Sequence, residues 1–397
     1  MQCQRYDIVV VGAGPAGSTA ALAAAERGVE VLLLEEHPRP GLPNHCAEGL
    51  SQNGLKDAGV NPTPEIVSQK ITSMRVYAPN GRFLELKSPD MVGYTINRDA
   101  FDLLLSTKAV EAGAELMTET RALGVIKRGG VVSGVLAERR GMRFEVEAKV
   151  VIGADGNASV IRRTAGLGRW FPDVVSCAQF RVGNLDLDNP EVNEFYIGSK
   201  YAPGGYAWIF PKSSSTANIG LGVRGGHREP ALSYLKRFMD SDPRLKDSKI
   251  LGVAGGITPV SGVLNRIVGD GVMLVGDAAG QLIPITGAGV HAGVVAGRMA
   301  GEVAAEAVLK NDVTAPTLSL YETRFDANWG KRIKESRRVL EMLDRFSDED
   351  LNMLAEVITG EDIIALANGL DVTRVLTRIF KRSPIKLMRL MASYIRG

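Results

Sequence analysis

Hydrophobic and polar positions change period several times along the chain. Tyr6–Val11 is a short β-branched run that reads as a fully buried strand. Ser18–Arg27 is alanine-rich and stops at Gly28, the pattern of a helix with a glycine terminator. Val29–Glu35 is a second buried strand, so roughly thirty residues hold a β-α-β unit of the kind that opens a doubly wound parallel sheet. Residues 36–64, rich in Pro, Gly and Asn, predict a long loop with a short helix. Alternation over 70–97, with a turn at Pro79-Asn80-Gly81, predicts antiparallel strands. Asp99–Gly113 is helical. Residues 116–152 form a meander that returns to a buried strand at Ala148–Ile152. Strand-like alternation resumes over 175–224, Ser233–Asp240 reads as a helix, Val272–Val275 as a buried strand and Gly287–Leu309 as a long helix. From 317 onward the period is helical. The expected fold class is α/β (α+β overall). A Rossmann-like doubly wound nucleotide domain (1–69, 98–174 and 250–310) is interrupted by an antiparallel-sheet substrate domain (70–97 and 175–249). A helical region follows over 311–397.

Composition narrows the class of protein. The 397 residues are 45% hydrophobic and 23% charged, which permits a large core and excludes disorder or a small disulfide scaffold. Cys3, Cys46 and Cys177 are scattered and form no CxxC, and His37, His45, His227 and His291 form no HxxxH. No metal site, iron–sulfur cluster or disulfide framework is expected, and a reducing cytoplasm fits. Ile8–Ala25 is uncharged for 18 residues, near the length of a membrane span, but Gly12, Gly14, Pro15 and Gly17 break it. Neither a secretory leader, a transmembrane segment nor a nucleic-acid partner is expected.

Three glycine-containing turns carry the chemistry. Gly12-x-Gly14-x-x-Gly17, with Ala16 inside it, follows a strand and opens a helix, and Glu35 lies 18 residues on. Glycines there allow a tight turn and close approach to a pyrophosphate, and an acidic residue at that distance can accept from ribose hydroxyls. Gly153-Ala154-Asp155-Gly156 follows a second buried strand. Gly276-Asp277-Ala278-Ala279 follows a third, before Pro284 and before Gly287-Ala288-Gly289-Val290 at the start of the long helix. Three such turns suit an extended FAD better than NAD. Asp277 can bind a ribityl hydroxyl, and the helix N-terminus can face the flavin N1–C2 carbonyl. Each Asp-Gly turn alone could equally be a hairpin turn.

Together these motifs, with Arg98 in Asn97-Arg98-Asp99, resemble the FAD signature of the para-hydroxybenzoate hydroxylase-like flavoproteins over roughly residues 5–310. In that group the arginine contacts the cofactor. A sharper resemblance lies at Pro203-Gly204-Gly205-Tyr206-Ala207-Trp208-Ile209-Phe210-Pro211, which is similar to the PxxYxWxFP motif of geranylgeranyl reductases. On spacing alone, Tyr206, Trp208 and Phe210 share one face of a strand and could wall an apolar pocket or simply fill a sheet core. Cys46-Ala47-Glu48-Gly49-Leu50 resembles the loop that passes the flavin in that subfamily, which implies cofactor contacts for Cys46, Ala47 and Gly49. The helical end is similar, more loosely, to that of archaeal digeranylgeranylglycerophospholipid reductases. The resemblance implies an FAD-dependent reductase that saturates geranylgeranyl chains on a glycerophospholipid. Reduced flavin would deliver hydride within a dry tunnel lined by Trp208 and Phe210, and the proton would come from water, Tyr206 or Cys46. The electron donor could be NADPH, ferredoxin or another carrier. An FAD monooxygenase of the hydroxylase type is the alternative.

Charge adds one feature. Lys and Arg total 47 and Asp and Glu 45, but seven basic residues and no acidic one lie in 372–397, so the tail carries +7 and the rest −5. Ile385, Leu387, Met388, Leu390, Met391, Tyr394 and Ile395 run among these cations. Such a mixture suits a solvated basic helix or peripheral docking on an anionic bilayer at the inner face of the cell membrane.

Overall fold

The structure is a computed structural model describing residues 4–87, 92–225, 229–370 and 372–396, with the side chains of 387 and 392–396 outside that description. Cys3 and His227 lie outside the described residues, as do the side chains of Leu387, Tyr394, Ile395 and Arg396.

The predicted β-α-β unit is present. Gln4–Val11 lies between Val31–Leu34 and Met142–Gly153, parallel to both, in an eight-stranded sheet that continues to Val272–Leu274 on one side and Glu115–Met117 on the other. Ile8 to Val10, Leu32 to Leu34, Val150 to Ile152 and Val272 to Leu274 are all buried. That is why these strands read as unbroken apolar runs: the parallel strands are buried on both faces. Helix Pro15–Ala25 begins with Pro at its first turn and packs its alanines against the long helix Val290–Leu309. The meander predicted over 116–152 forms the hairpin Thr120–Arg128 and Val131–Arg139, which pairs onto Met142–Gly153.

A second sheet has seven strands in the order Lys249–Pro259, Val174–Gly183, Ala217–Arg224, Tyr206–Pro211, Val192–Ile197, Ser73–Tyr77, Phe83–Lys87. Lys249–Pro259, which the pattern assigned to the nucleotide domain, is the edge strand of this sheet because it pairs along its length with Val174–Gly183. The 70–97 segment also divides. Ser73–Tyr77 and Phe83–Lys87 join the large sheet, whereas Gly93–Ile96 pairs with Gly49–Ser51 and Val67–Ile71 in a separate three-stranded sheet. Period-2 alternation sorts the two faces of the large sheet. Ala207, Ile209, Ile219, Leu221, Phe180 and Tyr196 pack under helix Ala231–Ser241 through Leu235 and Phe238. Alternate residues face the other way, toward the C-terminal helices.

Those helices include Lys331–Leu343, Asp348–Ala355, Gly360–Ala367, Val372–Arg382 and Pro384–Arg396. Arg224 joins Asp173 (2.7 Å) and Asp344, and Arg337 joins Asp173 as well, so a four-residue ionic network anchors the first of them to the sheet. Farther on, Val357, Ile358, Leu366, Val375 and Ile379 form a small core against Leu84. Asp362 organises this end. Its carboxylate closes a capping box with Thr359 and is fully buried between Arg378 and Arg382, each at 2.6 Å. Lys386 pairs with Glu356 at 2.5 Å. Of the six tail cations whose side chains are described, Arg378, Arg382 and Lys386 therefore have intramolecular partners. Arg374, Lys381 and Arg389 make no ion pair with the described residues, and Phe380, Ile385, Met388 and Met391 are exposed beside them. No helix among the described residues is long and apolar enough to cross a membrane.

Burial would raise the Asp362 pKa, but Arg382, Thr359 and Arg378 hold it below the usual range. A depressed folded pKa contributes stability above the unfolded value of about 3.9 and loses it as pH falls through the folded one. Acidification below about pH 4 should therefore loosen residues 356–396 first, read as amide exchange there ahead of the eight-stranded sheet. Asp362→Asn should produce the same selective loss at pH 7 and cost about 1–3 kcal/mol in that region, since its arginine partners keep some solvent contact.

Candidate active site

The free face of the large sheet, the 284–290 loop and the C-terminal helices enclose one continuous cavity of about 2490 Å³. At one end it reaches the glycine turns. Gly12 adopts φ +101°, and a Cβ there would lie 2.5 Å from the Ala154 carbonyl, so the first turn and the Gly153–Gly156 turn nest on each other only with glycine at that position. The wall at this end is formed by Gly14, Ala16, Ala154, Gly156, Gly276 and Asp277. Gly12 and Gly17 lie behind it. Glu35 also lies behind it, accepting from the Ala13 N–H (2.9 Å) and from the His37 backbone and ring nitrogens, which braces the turn. Asp155 accepts from Ser159 Oγ (2.5 Å) and the Ile161 N–H (3.0 Å), so both its oxygens serve the start of helix Val160–Ala165.

Asp277 differs from these two carboxylates. It faces the cavity and accepts no side-chain hydrogen bond from the described residues. Burial pushes its pKa up, and Arg98 opposes the shift. A cavity-facing acceptor without a protein donor suits the hydroxyls of a polyol. Pro284, Gly287, Gly289 and Val290 line the same cavity where helix Val290–Leu309 begins. An open glycine turn, a polyol acceptor and a helix N-terminus thus follow one another along one wall, and an extended flavin dinucleotide fits that order.

The loop 44–50 forms the opposite side. Cys46, Ala47 and Gly49 all reach the cavity. Gln179 donates from Nε2 to the Cys46 carbonyl (3.0 Å), and Asn218 donates from Nδ2 to that of Ala47 (3.2 Å). Arg98 lies at the cavity wall in a bidentate pair with Asp102 (2.8 and 2.7 Å), and its guanidinium also neighbours the Cys46 thiol. Burial opposes the charge on Arg98, but Asp102 and Cys46 hold its pKa above the ordinary range. Cys177 reaches the same cavity, and burial pushes its thiol up to about 11.

The three aromatics of the Tyr206–Pro211 strand all face the cavity. Tyr206 donates its hydroxyl proton to the Thr286 carbonyl, tying the sheet to the 284–290 loop, and burial pushes its pKa well up. Trp208 donates from Nε1 to Gln179 Oε1 at 3.0 Å and lies flush on Gly220, where any Cβ would collide with the indole. Phe210 rests against Gly49 and meets Phe195 edge-on at 5.2 Å. Beyond them the wall is mostly apolar: Met74, Val76 and Leu86 from the sheet, then Leu354, Leu366 and Leu376 from the helices and Ile358 from the turn between two of them.

Several residues at this site carry no sequence signature for it. Gln179 and Thr286 matter through the atoms that they present to Cys46, Trp208 and Tyr206. Glu48 sits inside the cysteine loop with a fully buried carboxylate that gathers Lys212 and Arg181. Glu48 lies 133 residues from Arg181 and 164 from Lys212, and Gln179 lies 133 from Cys46, so spacing could not reveal them. Among the described residues no group of His, Cys, Asp and Glu is arranged to hold a metal.

Comparisons with known proteins agree with this geometry. Residues 7–174 match the FAD dependent oxidoreductase family model, and residues 173–258 match that of the geranylgeranyl reductase catalytic domain. The chain is 42% identical over 388 residues to digeranylgeranylglycerophospholipid reductase 2 of Methanopyrus kandleri, covering 96% of this chain and 97% of that one. It is 41% identical over 393 residues to the digeranylgeranylglycerophospholipid reductase of Methanothrix thermoacetophila, covering 97% and 98%. Among solved structures, a geranylgeranyl bacteriochlorophyll reductase-like protein from Thermoplasma acidophilum superposes with a TM-score of 0.89 at 33% identity, covering 99% of this chain and 100% of that one. A flavin-dependent brominase, at TM-score 0.75 and 21% identity, shares the fold. The resemblance read from the aromatic motif is borne out, and the chain belongs to the digeranylgeranylglycerophospholipid reductase family of FAD-dependent oxidoreductases.

Proposed function

We propose that this protein saturates the double bonds of geranylgeranyl chains carried on glycerophospholipids. The observation that carries the reading is the single cavity that joins a flavin-shaped groove to an apolar channel walled by Trp208, Phe210 and the C-terminal helices. Bound FAD, once reduced by NADPH, ferredoxin or another carrier, supplies the hydride for one alkene carbon. An isolated trisubstituted alkene offers no carbonyl to polarise, so the chain's own contribution is orientation and the exclusion of water. Trp208 is locked by Gln179 and the sheet behind it, and with Phe195 and Phe210 it presents a stiff apolar surface against which successive isoprene units can lie. Tyr206 keeps its proton on the Thr286 carbonyl and acts as a tether. Cys46, beside Arg98, and cavity water are the proton sources for the second carbon.

The lipid reaches the cavity from a bilayer in this reading. Leu390 lines the channel from helix Pro384–Arg396, while Ile385 and Met388 on the same helix are exposed. With Arg374, Lys381 and Arg389 they form a basic amphipathic surface suited to anionic headgroups.

Dithionite-reduced, FAD-loaded enzyme incubated with a digeranylgeranyl glycerophospholipid should give products heavier by two mass units per double bond. An unchanged lipid would refute the reading, and a product heavier by one oxygen in a parallel incubation with NADPH in air, without dithionite, would favour the monooxygenase alternative. Trp208→Ala should retain FAD and lower turnover at least about tenfold, because the chain loses its stiff support. The double substitution Ile385→Glu and Met388→Glu should abolish sedimentation with phosphatidylglycerol vesicles while leaving thermal unfolding unchanged. Undiminished sedimentation would show that the tail is only structural.

A further inference from the structure

Glu48 combines two features that rarely coincide. Its backbone is left-handed, with φ +73°, in a chain where most such positions are glycine. Its side chain is wholly buried and meets five donors. Lys212 Nζ donates at 2.6 Å, Asn44 Nδ2 and Asn218 Nδ2 at 2.7 Å, Arg181 Nη2 at 2.8 Å and the Arg98 backbone N–H at 3.0 Å. Arg181 and Asn218 belong to the large sheet and Lys212 directly follows its strand Tyr206–Pro211, whereas Arg98 opens the helix Arg98–Glu111. One carboxylate is thus gripped both from the large sheet and from the start of that helix. Burial works against its ionised form, but Lys212 and the other donors keep its pKa below the usual range.

The strained turn has a direct effect on the neighbouring cysteine. The Glu48 N–H points back at Cys46 Sγ, 3.2 Å away, and the Glu48 carbonyl accepts from the Ile96 N–H at 2.8 Å. Without its anchor, a left-handed non-glycine residue relaxes toward ordinary dihedrals, which swings that N–H off the sulfur. We propose that Glu48 is a positioning residue for Cys46: its doubly gripped carboxylate holds the strained backbone that orients the thiol at the cavity wall. Its importance for reduction rests on the placement of Cys46 beside the reacting chain, but the positioning itself can be read without any lipid.

The test uses FAD-loaded protein and iodoacetamide, with alkylation located by peptide mass. Cys177, in the same cavity but outside the Glu48 cluster, is the internal control. Glu48→Gln should speed alkylation of Cys46 by at least about fivefold and leave Cys177 unchanged, since only the loop is released. Glu48→Asp, which keeps the charge, should fall closer to wild type. If Glu48→Gln does not fold, Lys212→Met, which leaves the carboxylate in place, decides by the same comparison with a smaller rise. Equal changes at both cysteines, or none at Cys46 in a folded variant, would overturn the proposal and leave Glu48 a purely structural residue. Failure of lipid reduction in the wild type would remove the proposed function without altering this reading.

Discussion

The arrangement of the site depends on one buried charge cluster. Two sheets that share no strand must be held at a fixed separation if a planar cofactor and a long apolar chain are to meet between them. Apolar packing alone is a poor spacer, because it favours closing the gap. The Glu48 carboxylate solves this with directional bonds: Lys212, Arg181 and Asn218 on the sheet side, the start of helix Arg98–Glu111 on the other. Oε2 accepts from Lys212, Arg181 and Asn218 and Oε1 from Asn44 and the Arg98 N–H, so loss of the carboxylate would strand the Lys212 ammonium in a region with little water. Such clusters specify a geometry more than they add stability. Here the geometry is the seating of the 44–50 loop between the large sheet and the start of helix Arg98–Glu111.

The C-terminal region completes the enclosure by a different kind of interaction. Its helices contribute apolar side chains to the channel and are tied down at their edges by ion pairs, at Asp173–Arg224–Asp344 and at Asp362. The +7 of the tail is therefore divided. Part of it neutralises carboxylates of the protein, and part is displayed beside exposed Phe380, Ile385 and Met388. A net charge taken over the segment does not distinguish these uses; only the placement of Asp362 and Glu356 does.

The fold was legible where burial on both faces leaves an unbroken apolar run, as in Tyr6–Val11, Val29–Glu35 and Val272–Val275. The glycine turns were legible for the same local reason. Strand membership was less so. Lys249–Pro259 was assigned to the nucleotide segment because nothing in Gly252, Gly255 or Gly256 tells which sheet the strand pairs with, and pairing is set by a partner some 70 residues earlier. At the site, alternation placed Tyr206, Trp208 and Phe210 on one face, while it took a family resemblance to choose a pocket over a core. Glu35 and Asp155 show the limit of motif reading. Acidic residues at the expected spacing are present, yet in this structure their oxygens serve the turns that carry them. Glu48, with partners from Asn44 to Asn218, could not be found by any local pattern.

The contact of Trp208 with Gly220 has a consequence for how such a protein can diversify. The indole rests on backbone, so its position is not negotiable through neighbouring side chains: enlarging residue 220 would expel it. The sheet side of the channel is in that sense a fixed template. The opposite side is made of short helices joined by turns, where Leu354 and Leu376, outside the buried set of that region, can be exchanged for larger or smaller residues without disturbing a hydrogen-bonded ladder. Changes in the length or branching of the lipid accepted should therefore accumulate on the helical wall, while the aromatic wall stays constant across lineages with different membranes.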